Sequence, residues 1–309
     1  MEWHNKSVVV TGGTGFLGSK IVSQLKEKGA KNILIPKSNE YDLRYKENAK
    51  KITENADIVF HIAAKVGGIG LNQEKPGELF YDNLIMGTNL LEQARENNVE
   101  KFIALGTVCS YPKFTPIPFK EESIWDGYPE ETNAPYGLAK KMLLVQSQAY
   151  RQQYNFQSIM VIPTNLYGPN DNFDDKSSHV IPALIKKVYL AKKENLKNIS
   201  VWGDGSPTRD FLYVDDAANG IILAAEKYNN SLPINLGSGI EISIKKLVIK
   251  IIYLMDADID IVWDIEKPNG QPRRCISIER ARKEIRFEPK IDLDDGLKQT
   301  IDWYVSNLS

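Results

Sequence analysis

The chain has 309 residues, enough for one large domain or two coupled ones with a substantial core. At 42% hydrophobic and 26% charged residues the composition is that of an ordinary soluble globular protein. Its 39 basic and 40 acidic residues leave a formal net charge of -1, so nothing draws it toward nucleic acid or a membrane surface. Two cysteines, Cys109 and Cys275, fit a reducing compartment better than a disulfide scaffold. The opening MEWHNKSVVV has neither the long apolar region nor the small-residue cleavage site of a signal peptide. No apolar run reaches the roughly 18 residues of a membrane span, and a cytoplasmic location is expected.

In chain order, Lys6 to Thr11 reads as a buried parallel strand, with Val8, Val9 and Val10 in one run. A glycine turn follows. A helix then carries Phe16, Leu17, Ile21, Val22 and Leu25 on one stripe and ends near Gly29. Strands are predicted at Asn32 to Ile35, Ile58 to Ala63, Lys101 to Gly106 and Ser158 to Pro163, with helices from about Pro76 to Asn97 and Tyr136 to Tyr154. Such alternation predicts an α/β fold, a Rossmann-type doubly wound parallel sheet. From Gly168 to Asp210 the pattern changes to loops, one helix near Ile181 and the charged run KKENLKN, read as solvated surface. With no repeat or tether visible, residues 1–168 read as a dinucleotide-binding domain and 169–309 as a smaller, interleaved substrate part. About 212–240 is expected to return to the first.

The first turn places Gly12, Gly15 and Gly18 between strand and helix, with Phe16 and Leu17 opening the helix. Glycines here allow a tight turn, close approach to a pyrophosphate and close helix–strand packing, while the helix N-terminus offers free N–H groups. The second strand ends in Ile35-Pro36-Lys37-Ser38-Asn39, with no carboxylate until Glu40. A 2′-phosphate would meet Lys37 and Ser38 there, so NADP(H) is predicted.

Tyr136 and Lys140 stand four residues apart and share a helix face, with Pro135 suiting a helix start. A nearby ammonium, together with the cofactor's nicotinamide charge, is expected to lower the phenol pKa and make Tyr136 a proton donor. Thr107, at the end of the KFIALG strand, is placed to polarise a carbonyl together with it.

Together these features resemble the extended short-chain dehydrogenase/reductase superfamily. The resemblance implies a catalytic set of Thr107, Tyr136 and Lys140, with Lys140 also holding the nicotinamide ribose. It implies Asp42 and Leu43 near the adenine, and Ala63, Ala64 and Lys65 along the cofactor cleft. The stretches AAKVGGI (63–69), CSYPK (109–113), PTNLYGPNDNF (163–173), SHVIPALI (178–185), VWGDGSPTRDFLYVDD (201–216) and KPNGQPRR (267–274) carry a finer resemblance, to the GDP-L-fucose synthase family.

That resemblance implies an NADPH-dependent enzyme that epimerises GDP-4-keto-6-deoxy-D-mannose at C3 and C5 and then reduces its C4 ketone. A 4-keto group acidifies the hydrogens on its neighbouring carbons, and inversion needs a base and an acid on opposite faces of the ring. The resemblance assigns these roles to Cys109 and His179. Taken alone, Cys109 reads as a small core residue and His179 as a surface or helix-capping one. It also implies Pro163, Asn165, Leu166 and His179 at the cofactor. Lys187, Arg209, Asn269 and Arg274 match family positions near the nucleotide, Trp202 is suited to stack on guanine, and Val180 and Leu184 supply apolar walls. A homodimer is implied too, and the helix from Tyr136 is apolar nearly all round. No metal is expected.

Several positions depart from the family pattern. The first turn lacks the family's arginine, Pro36 stands where another is usual, Thr107 replaces serine, Asn269 replaces aspartate and Arg274 replaces lysine. A nucleotide-sugar 4-epimerase or 4-reductase without C3/C5 chemistry is the alternative reading.

Overall fold

The computed structural model describes residues 1–309 apart from Lys176, Pro268 and Ser309. Within β1 (Ser7–Thr11), Val8 and Val10 pack into one apolar layer and Val9 into another. Side chains alternate along a strand, so a run apolar at every position must be covered on both faces.

The covering elements follow in order: α1 (Phe16–Glu27), β2 (Asn32–Leu34), α2 (Lys46–Thr53), β3 (Ile58–His61), α3 (Ile69–Glu74), α4 (Pro76–Glu96), β4 (Lys101–Leu105), α5 (Ala134–Tyr154) and β5 (Ser158–Pro163). The chain continues through β6 (Asn165–Tyr167), α6 (Val180–Lys193), β7 (Asn198–Trp202), β8 (Thr208–Tyr213), α7 (Val214–Lys227), β9 (Ile234–Leu236) and β10 (Glu241–Ser243). It ends with α8 (Ile244–Leu254), β11 (Asp260–Asp264), β12 (Arg273–Arg274), α9 (Glu279–Ile285) and α10 (Leu293–Leu308).

A six-stranded parallel sheet runs in the order β2-β1-β3-β4-β5-β9. One face is covered by α1, α7 and α9, the other by α2, α4 and α5. This is the doubly wound α/β fold expected. The order reverses between β1 and β3, where such sheets open a crevice beyond the carboxyl ends of the strands. A third apolar cluster, built on β6, β7, β8, α6, α8 and α10, forms the wall facing that crevice.

Predicted elements recur with ends shifted by a residue or two, as termini usually do. Several elements were not predicted, among them α2, α3, β6 and those after Asp210, nor was β7 within the loop-rich stretch. Asn198–Trp202 is a strand whose Ile199 and Val201 are buried while its other side chains face out, and it pairs with β11. The preceding KKENLKN run hid a signal of only two inward apolar residues.

Candidate active site

The cofactor side begins at the turn after β1. Gly15 gives α1 no side-chain cap, and its first turn holds no acidic residue, so its N–H groups stay free for an anion. A Cβ on Gly18 would lie 2.1 Å from the Gly12 carbonyl oxygen, so only glycine lets the helix start this close to the strand end. Gly12, Gly15, Phe16, Leu17 and Gly18 line one cleft of about 1890 Å³, together with Lys37 and Ser38 from beyond β2.

Asp42 and Leu43 line the same cleft, as do Ala63, Ala64 and Lys65 beyond β3. Asp42 is held by Arg44, whose Nε and Nη2 donate to it at 3.0 and 2.7 Å, and this holds its carboxyl below the usual range. The Thr11 hydroxyl accepts from Ala63 N at 3.2 Å. Lys65 is pinned by Asn83, which bonds both its N–H and its carbonyl, at 3.0 and 2.9 Å. Its ammonium is committed to Glu78 and Asp82, at 2.7 and 2.9 Å, so it faces the cleft with its backbone.

Thr107 follows the end of β4 by two residues and caps the short turn Val108–Ser110, its hydroxyl accepting from Cys109 N at 3.2 Å. The first turn of α5 presses on this segment. A Cβ on Gly137 would sit 2.3 Å from the Cys109 carbonyl oxygen, and Ser110 Oγ donates to Gly137 O at 2.9 Å. Tyr136, in that turn, is thereby brought to the same part of the cleft as Thr107, whose hydroxyl acts to lower the phenol pKa. One turn on, Lys140 is 1% exposed and its Nζ makes no hydrogen bond within the protein. Burial brings its pKa down to about 8.

Burial pushes the Tyr136 phenol up, and charge on Cys109 adds to this, against the Thr107 hydroxyl, so the Lys140 ammonium alone does not lower it. Behind Lys140, His61 is fully buried, 3.0 Å from the Thr11 hydroxyl through Nδ1. Burial and the Lys140 charge hold His61 neutral.

Across the cleft, Pro163, Asn165 and Leu166 continue the line of β5 and β6. His179 stands at the N-cap position of α6 without capping it. The residue is exposed by surface area but lies on the cleft wall, where lost hydration lowers its pKa. Val180 and Leu184 follow on α6, and Lys187 donates to Ser200 O at 2.8 Å. Trp202 is half exposed, with the Lys267 ammonium 5.7 Å from its ring centre, and Asn269 accepts from Asp204 N at 3.0 Å.

β12 runs parallel to β8 with Arg274 opposite Arg209, so two guanidinium groups share this wall. Burial, then the Arg274 charge, brings the pKa of Arg209 down to about 9. Arg274 Nη1 donates to Cys109 Sγ at 3.8 Å, and Gln271, which sequence reasoning overlooked, bonds both arginines.

Every site residue predicted from the sequence therefore lines this one cleft, except Lys140, which lies just behind its wall. The volume exceeds the roughly 300–1,000 Å³ usual for one ligand, leaving room for a dinucleotide and a second nucleotide together. The residues present fit a nicotinamide dinucleotide: a phosphate-accepting helix end, a glycine-only approach and a buried ammonium with donors to spare. Among the described residues there is no cluster of metal-ligand side chains and no helix long and apolar enough to cross a membrane.

The sequence pattern of the NAD dependent epimerase/dehydratase family matches residues 8–237. The chain belongs to that family. Within it the chain falls among the GDP-L-fucose synthases. It is 40% identical to "GDP-L-fucose synthase" of Sinorhizobium fredii over 98% of this chain and 97% of that one. Among solved structures it is similar to a GDP-6-OMe-4-keto-L-xylo-heptose reductase from C. jejuni, with a TM-score of 0.92, 26% identity and 98% of both chains covered. It is also similar to a GDP-L-fucose synthetase from Naegleria fowleri bound to NADP, with a TM-score of 0.88, 28% identity and 98% and 95% coverage.

Proposed function

We propose that this protein converts GDP-4-keto-6-deoxy-D-mannose to GDP-L-fucose, epimerising C3 and C5 and then reducing the C4 ketone with NADPH. The observation that carries the reading is the meeting, in one cleft, of the Thr107 and Tyr136 hydroxyls with the Cys109 thiol and the His179 imidazole. The names of relatives 32–40% identical over nearly the whole chain support it.

In this reading NADPH, when bound, supplies the hydride that C4 receives. Tyr136 gives its proton to the C4 oxygen while Thr107 holds that oxygen, and Lys140 bonds the nicotinamide ribose. Cys109 removes the ring proton on one face and His179 delivers one on the other. Arg209 and Lys187 meet the diphosphate. For Arg209 a bound anion relieves both its burial and the repulsion from Arg274. Lys37 and Ser38 favour a 2′-phosphate, because Asp42 is already neutralised by Arg44.

Residues 1–168 with about 212–240 serve the cofactor in this reading, and the rest of 169–309 serves the sugar nucleotide. Val145 on α5 and Tyr81 on α4 are exposed, which supports a homodimer covering these two helices, checked by light scattering at micromolar concentration. Two free cysteines support a reducing, cytoplasmic setting.

The deciding experiment offers GDP-4-keto-6-deoxymannose with NADPH in heavy water and identifies the product by NMR. GDP-L-fucose carrying deuterium at C3 and C5 is expected. A reduced, uninverted GDP-6-deoxyhexose without deuterium would replace this reading by a plain 4-reductase, a possibility that the likeness to the C. jejuni reductase keeps in view.

A further inference from the structure

Arg274 matches a family position near the nucleotide, yet its guanidinium reaches the sulfur of Cys109, with Nη1 donating at 3.8 Å. Its other two nitrogens are occupied. Nε and Nη2 both donate to Gln271 Oε1, at 3.1 and 3.0 Å. Gln271 is 5% exposed and fixed in turn, its Nε2 donating to Lys113 O at 3.1 Å and its own carbonyl accepting from Arg209 Nη1 at 2.7 Å. Both ends of its amide are committed. One edge of the Arg274 fork is therefore locked, and the remaining nitrogen is turned to the thiol.

We propose that Gln271 is a positioning residue for the C3/C5 proton transfers: it locks Arg274 against Cys109 as the counter-charge of the sulfur anion. This rests on the epimerase/reductase reading above. When Cys109 acts as base, an S–H bond forms and a ring C–H bond breaks. The electron pair of that C–H bond moves into the ring, and the 4-keto oxygen takes the negative charge. The charge thus starts on sulfur and leaves it. A guanidinium held beside the sulfur keeps more of the thiol in its thiolate form, the form that can take the ring proton.

An arginine suits this task because its planar fork can be gripped along one edge by an amide oxygen while a third nitrogen points elsewhere. A lysine ammonium offers no such edge. The departure from the family's usual lysine at 274 thus has a structural partner in Gln271.

The test alkylates the purified protein, without sugar, with iodoacetamide near neutral pH and follows Cys109 by peptide mass spectrometry. Cys275, 5% exposed, serves as the internal reference. Gln271→Leu and Arg274→Gln are expected to slow Cys109 labelling about tenfold, with Arg274→Lys between them and the native protein. Gln271→Asn keeps an amide but is too short to grip Arg274, and it should show the same tenfold slowing in a folded protein where Gln271→Leu folds poorly. The same variants should lose about tenfold in C3/C5 deuterium uptake at saturating substrate, with KM changed less than about threefold.

Unchanged labelling overturns the proposal. So does a tenfold rise in KM with wild-type exchange, which would make the pair nucleotide ligands. If labelling depends on Gln271 but the native protein never exchanges deuterium, the clamp stands and the substrate reading falls.

Discussion

Where the proposal places the cofactor, the glycine turn uses consecutive positions from Gly12 to Gly18, between one strand and one helix. Where it places the sugar, Cys109, His179, Arg209 and Arg274 come from segments far apart in the chain, the two arginines meeting through the short register of β12 on β8 and through Gln271. The first is built by local backbone geometry and tolerates few changes in shape. The second is built by side chains reaching across loops, and its chemistry can be altered one residue at a time.

The largest effect should come from the hydroxyl shared by both sides. Tyr136→Phe is expected to cut ketone reduction by about 10²- to 10⁴-fold while NADPH still binds. Binding is read by nucleotide fluorescence and turnover by product formation. Near-native turnover would remove Tyr136 from the proton-donor role and leave the two halves with no shared group.

Cys109→Ser sharpens the contrast. It should depress C3/C5 deuterium exchange by about 10²-fold or more, because a hydroxyl is far too weak an acid to share the thiol's ionisation. Reduction should survive and yield an uninverted sugar. Fully inverted, deuterated product from this variant would show that another group is the base.

Gly18→Ala attacks the local side. With 2.1 Å to the Gly12 carbonyl, the added carbon must push α1 from β1, at a cost of about 1–3 kcal/mol in stability. NADPH affinity should fall with it, measured by calorimetry. Wild-type affinity and melting temperature together would mean that the turn is looser than this contact implies.

A smaller effect concerns Lys140. Its folded pKa of about 8 lies below the ordinary lysine value, so the unfolded chain holds more protons between about pH 8 and 10.5. Stability from this group therefore rises with pH across that window, and the penalty of burying its charge is full below it. Lys140→Met removes the penalty, up to about 3 kcal/mol. The melting temperature of the variant should exceed that of the native protein most near pH 7 and converge with it toward pH 10. A gap that stays constant with pH would mean that Lys140 is not desolvated as its burial indicates.

The sequence was legible where the determinants are local. The glycine spacing, the Tyr136–Lys140 pair and the strand-end threonine each need only a strand–turn–helix context to be read, and all stand at the cleft or against its wall. The fold followed from alternating apolar periods. Gln271 was not legible, because its role depends on a two-residue strand, β12, with no periodicity to detect. The burial that raises the Tyr136 pKa was not legible either. A lysine one turn away is visible in sequence, but that burial is produced by Gly137 admitting α5 against Cys109.

The sixth strand of the main sheet has a consequence for how the chain is made. β9 pairs with β5, Val161 opposite Ile234 through Pro163 opposite Leu236, after the chain has left the sheet to build β6, β7 and β8. Until the ribosome has delivered Leu236, β5 is an edge strand whose side chains are all meant to be buried, with hydrogen-bonding groups open to other chains. Such an edge is an aggregation hazard during synthesis. A fragment ending at Gly168 should therefore precipitate despite carrying the whole glycine turn, while one extended through α7 and β9 should stay in solution more readily.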